Sequence, residues 1–203
     1  SLLCGNFTWS NDVTLLSLPN PGVDMERKLL YSPNTDGLGS VLKNTIVNIT
    51  DATIKGSVYG GGNKGVVEGN TQVTVNGEAQ ITNIFAGSNQ ANIGGEARLI
   101  INSGTIVNAY GGNNLSGVIT SALNTQINGG TITNVYGGGN EASTTLDTNV
   151  SVNGGVITSL YGGGNQANVN NSIITITNTI STPTIKNIYG GGFEGKVEEE
   201  TTI

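Results

Sequence analysis

One short pattern recurs along this 203-residue chain and restricts what it can fold into. Its fullest copy is Val135-Tyr136-Gly137-Gly138-Gly139-Asn140. Close copies occupy residues 58–63, 160–165 and 188–193, and looser ones read Ile84-Phe85-Ala86-Gly87-Ser88-Asn89 and Ala109-Tyr110-Gly111-Gly112-Asn113. The aromatics Tyr59, Phe85, Tyr110, Tyr136, Tyr161 and Tyr189 follow one another at steps of 26, 25, 26, 25 and 28 residues. A fixed period in this range is the mark of a solenoid or a propeller. A unit of about 25 residues is too small to bury its own apolar side chains, so successive units have to stack.

Within each unit a β-branched run precedes a turn. Thr71-Gln72-Val73-Thr74-Val75-Asn76-Gly77 lies over Arg98-Leu99-Ile100-Ile101-Asn102-Ser103-Gly104, and both lie over residues 124–130 and 149–155. Alternation ended by Asn-Gly reads as a strand and its turn, with Val73 and Val75 inward and Thr74 outward. A second strand follows, as in Thr131-Ile132-Thr133-Asn134, and leads into the aliphatic–aromatic pair. Ile132 and Val135 are three apart, which strict alternation would put on opposite faces. A bend at Thr133-Asn134 is expected to turn both inward. The segment after the glycines varies most and marks one edge of the stack, the usual place for a binding face.

These spacings predict an all-β chain, a right-handed parallel β-helix with about six coils of about 25 residues over residues 41–203. Residues 1–40 depart from the period and are expected to form an atypical N-terminal cap or an imperfect first coil. Within them residues 12–18 read as a strand and residues 25–30 have helix-forming composition. The C-terminal residues 192–203 repeat the pattern of residues 62–73 and stop in mid-repeat. A fragment of a longer repeat protein is the expectation, with end-to-end or lateral self-association as the alternative cover for the open end.

Stacked coils place equivalent residues in columns. One is Val58, Ile84, Ala109, Val135, Leu160 and Ile188; another is Val75, Ile101, Ile127 and Val152. Asn76, Asn102, Asn128 and Asn153 form a polar column at one corner. Asn63, Asn89, Asn113, Asn140 and Asn165 are assigned to a second. Asn tolerates turn backbone and bonds to the coil above or below. The glycines permit positive φ or close approach between coils. A phosphate cradle would need a helix after the loop and usually a Lys, whereas this loop recurs between strands.

Composition narrows the function. The formal charge is −6, with eight scattered basic residues, so nucleic acid is a poor partner. His is absent, which removes the commonest general base and transition-metal ligand. The single Cys4 allows no internal disulfide, and no apolar run is long enough for a membrane span. No cofactor, metal site or catalytic set is predicted.

The repeated Ile-Thr-Asn-Val-Tyr-Gly-Gly-Gly-Asn at residues 132–140 and the Asn-Gly-Gly corners resemble the parallel β-helix regions of large secreted or surface-anchored bacterial adhesin-like proteins. The resemblance covers residues 41–203. It implies a non-catalytic structural or adhesive β-solenoid module of an extracellular, cell-surface protein, meeting glycans or a cell-surface protein through one face. The candidate ligand-facing column is Tyr59, Phe85, Tyr110, Tyr136, Tyr161 and Tyr189, because aromatic faces suit sugar rings; stacking of these rings on one another is the other reading. Parallel β-helices also include polysaccharide lyases and hydrolases, so a carbohydrate-active enzyme or its binding module is the alternative. For that reading Glu68 and Glu96, on neighbouring coils, are the pair to compare with the carboxylate spacing of glycosidases. Solvated edge charge is the plainer account of both. An ice-binding protein is a further alternative, resting on the aligned Thr82, Thr133 and Thr158, with Val107 and Lys186 interrupting.

Overall fold

The computed structural model describes residues 40–203 together with the backbone of one short strand near the N-terminus. That strand, β1 (Asp12–Thr14), is followed by β2 (Asn44–Thr50). Six pairs then alternate along the chain: β3 (Thr53–Tyr59) and β4 (Thr71–Asn76), β5 (Gln80–Phe85) and β6 (Ala97–Ile101), β7 (Thr105–Tyr110) and β8 (Leu123–Ile127). The series continues with β9 (Thr131–Tyr136) and β10 (Thr148–Val152), β11 (Val156–Tyr161) and β12 (Ser172–Ile176), β13 (Thr184–Tyr189) and β14 (Thr201–Thr202). Among the described residues there is no helix.

Two parallel sheets result. One has eight strands in the order β1-β2-β4-β6-β8-β10-β12-β14, and the other has six in the order β3-β5-β7-β9-β11-β13. Each strand pairs with its counterpart one coil away, so the chain is a parallel β-solenoid of about six coils. A third side is held only by single-residue parallel bridges, Val41 to Val67, Val67 to Ile93, Ile93 to Ile119 and Val169 to Val197. Of the predicted strand over residues 12–18, residues 12–14 are present as β1, which pairs parallel with Asn44, Thr45 and Ile46 of β2. The segments at residues 15–18 and 25–30, like the rest of the expected cap apart from β1 and residue 40, lie outside the described residues.

Inward columns fill the space between the sheets. Val75, Ile101, Ile127 and Val152 pair in register and are wholly buried. So are Ile84, Ala109, Val135 and Leu160, which continue from Val58 across the six-stranded sheet. Each such Val, Ile or Leu side chain contributes roughly 1.5–3 kcal/mol by leaving water. The expected bend takes the form of a phase change inside a continuous strand. In β9, Ile132 and Val135 are both buried and Thr133 is exposed. The paired register passes from Ile132–Ile157 directly to Asn134–Ser159. Thr133 is thus the residue at which the strand shifts its facing.

Glycine has two separate duties. At the Asn corners, Gly104, Gly130 and Gly155 take φ of 96°, 88° and 90°, where a side chain would be strained. The glycines after the aromatics do not adopt positive φ; they allow close approach. A Cβ on Gly137 would stand 2.2 Å from the Gly162 carbonyl oxygen of the next coil.

Candidate functional site

The six aromatics come together as the sequence predicts. Tyr59, Phe85, Tyr110, Tyr136 and Tyr161 pair in strand register up to Tyr189. Their ring centroids are 5.0, 4.4, 4.9, 5.1 and 4.8 Å apart in succession, and neighbouring planes differ by 12° or less. This spacing follows the strand spacing of about 4.8 Å, so the backbone ladder imposes the stacking. Every inner ring therefore has both faces against other rings. Phe85, Tyr110 and Tyr136 are only 3%, 7% and 6% exposed, whereas Tyr189 at the end is 46% exposed. Phe193 stands edge-on to Tyr161, with centroids 5.7 Å apart. The arrangement offers sugar rings no open inner face; the column acts on itself.

Burial also changes the phenols. It pushes the Tyr110 hydroxyl above its ordinary value. Tyr136 is raised to about 12, first by burial and then by the neighbouring Tyr110 and Tyr161, whose charges would repel its own. The column thus favours neutral rings.

Asparagine amides form ladders along the same axis. Asn102 donates to Asn76 at 2.9 Å, Asn128 to Asn102 at 2.7 Å and Asn153 to Asn128 at 2.9 Å. Thr177 closes the top by donating to Asn153. In a second ladder Asn89 donates to Asn63, Asn114 to Asn89, Asn140 to Asn114 and Asn165 to Asn140. The sequence assignment of Asn113 to this column is corrected: Asn114 occupies it. That coil has one glycine fewer after its aromatic, so Asn113 stands where Gly139 and Gly164 stand elsewhere. There it is buried, and its Oδ1 accepts from the Ser88 amide at 2.7 Å. A third ladder, Asn134 to Asn108 to Asn83, escaped the sequence reading. Its signal was present in the recurrence of Asn two residues before Phe85, Tyr110, Tyr136 and Tyr189, with Ser57 and Ser159 at that place before Tyr59 and Tyr161, taken there only as a bend.

The other candidates are arranged differently. Glu68 and Glu96 are not register partners. Val67 bridges Ile93, so Glu68 faces Gly94 across the coils, while Glu96 faces Asn70. The Glu96 carboxylate turns the other way and accepts from Asn124 of the following coil at 2.8 Å. Thr82, Thr133 and Thr158 lie on the outward face of the six-stranded sheet. A parallel column beside them reads Thr53, Gln80, Thr105, Thr131, Val156 and Thr184. Gln80, Val107, Val156 and Lys186 interrupt this array. Among the described residues no three Asp, Glu or Cys side chains gather as a metal cage requires, and no helix is long and apolar enough to cross a membrane.

Taken together, these ladders define the class: a parallel β-solenoid whose polar and aromatic side chains bond mainly along the stacking axis. Comparison with protein-family models, with curated proteins and with solved structures returned no match.

Proposed function

We propose that this chain is a non-catalytic structural and adhesive segment of an extracellular bacterial surface protein. It acts as a stiff spacer that holds one outer face toward glycans or another cell surface. The observation that carries this reading is the direction of the bonding. Aromatic stacks, amide ladders and backbone pairing all run coil to coil, which stiffens a rod and leaves regular outward columns. Low charge and abundant Asn and Thr fit an exposed, hydrated exterior.

A glycan array probed with the purified chain tests the reading, together with an assay for release of sugar ends from the polysaccharides it retains. Retention of a subset of glycans without release is the expected result. Release of new sugar ends would transfer the chain to the carbohydrate-active enzymes.

A further inference from the structure

The aromatic rings cover one another, so a ligand-binding surface has to be sought elsewhere on the stack. Two outward columns run up the middle of the eight-stranded sheet. One reads Gln72, Arg98, Asn124, Asn149 and Ile173, and the other Thr74, Ile100, Gln126, Ser151 and Thr175. The short Asn149 and Ser151 lie beyond the longer Arg98 and Gln126, and the face dips there. The depression measures about 260 Å³ and is lined by Arg98, Asn124, Thr125, Gln126, Asn149 and Ser151. Five of the six turn polar side chains outward, while Thr125 is buried on the inner face, so the depression suits a ligand recognised through hydrogen bonds rather than by its apolar body.

The hydrogen bonds show what remains on offer. Asn124 donates its amide to Glu96 at 2.8 Å, and Gln126 donates to Asn128 at 3.0 Å. Both amides are thereby fixed in orientation, with their oxygens left as acceptors. Among the described residues, Arg98, Asn149 and Ser151 have no side-chain partner. Arg98 is the one charged residue in these two columns, on a chain of net charge −6. An unpaired guanidinium thus stands beside fixed acceptors, a free amide and a free hydroxyl.

We propose that this depression binds an acidic sugar unit of a glycan. Arg98 pairs with the carboxylate, and Asn124, Gln126, Asn149 and Ser151 bond the ring hydroxyls. A guanidinium fork matches a carboxylate with two parallel bonds. Sugar hydroxyls both donate and accept, which suits a mixture of fixed acceptors and free donors. A multiply charged inorganic anion fits worse than a singly charged sugar, since Arg98 is the one cation and the Glu96 carboxylate held by Asn124 stands close by. The inference rests on the adhesive reading above and supplies its ligand class and its face.

The test is calorimetric titration of the whole chain with a uronic-acid oligosaccharide, its neutral counterpart and inorganic phosphate, repeated with Arg98→Gln. Arg98 is exposed, so unchanged thermal unfolding checks that the variant folds. Losing a charge-assisted bond predicts at least about tenfold weaker binding of the acidic sugar by the variant. A similar deficit is expected for the neutral sugar on the unaltered chain, with no displacement by phosphate. Equal binding by Arg98→Gln, or full displacement by phosphate, overturns the proposal. Glycan binding that ignores Arg98 would move the site yet leave the adhesive role standing. Failure of both sugars to bind, with no glycan retained on the array, would remove that role as well.

Discussion

At the scale of the residue, identical sequence positions meet different surroundings according to what stacks on them. Gly138 and Gly191 are both the second glycine after a tyrosine. A Cβ on Gly138 would meet Val169 Cγ1 at 2.7 Å and Gly164 Cα at 3.0 Å, whereas a Cβ on Gly191 meets nothing within 4 Å. Gly138→Ala is therefore expected to destabilise the chain by about 1–3 kcal/mol, the usual range for overpacking. Gly191→Ala should stay within about 0.5 kcal/mol of the parent. Denaturant midpoints of the two variants check this, and equal losses would mean that the glycines are there for local turn geometry. The same dependence on the neighbouring coil explains the displaced asparagine. Asn113 looks like a ladder residue because it follows glycine, yet spacing from the aromatic decides, and Asn114 holds the fourth place after Tyr110. Sequence showed the recurrence; the missing glycine in one coil hid the true alignment.

At the scale of the element, strands and their inward columns were legible because side-chain period and repeat period agree. Val73 and Val75 alternate with Thr74, and their equivalents recur with the same spacing from the Asn corners. The phase change at Thr133 was legible as a conflict, since Ile132 and Val135 had to share a face. The third side was not, because its pairing rests on one residue per coil, such as Ile93, too little for a strand pattern. What the aromatics do could be settled only by their mutual geometry, since exposure and stacking share one sequence signature. Their stacking has a consequence at high pH. Tyr136 has its hydroxyl raised from 10.0 to about 12 in the folded chain. A group whose folded value is raised holds its stabilising contribution below the unfolded value and loses it as pH climbs toward the folded one. Stability is thus expected to fall between pH 10 and about 12, and Tyr136→Phe should flatten that fall. Denaturation midpoints across this range are the measurement; an unchanged slope in the variant would contradict the buried stack.

At the scale of the whole molecule, each coil touches chiefly the coils before and after it, which makes the described region nearly one-dimensional. Length then grows by one strand spacing per coil, and outward columns become rulers. Thr53, Thr131 and Thr184 are exposed members of one such column. Spin labels on cysteines at these positions, with Cys4→Ser to remove the native thiol, allow the ruler to be read by pulsed electron resonance. At about 4.8 Å per strand, Thr53 and Thr131 are three spacings apart, or about 14 Å, and Thr53 and Thr184 are five apart, or about 24 Å. Stacking in register predicts that the second pair lies about 10 Å further apart than the first. Equal distances, or a shorter one for the pair more distant in sequence, would show that the coils do not pile in single file.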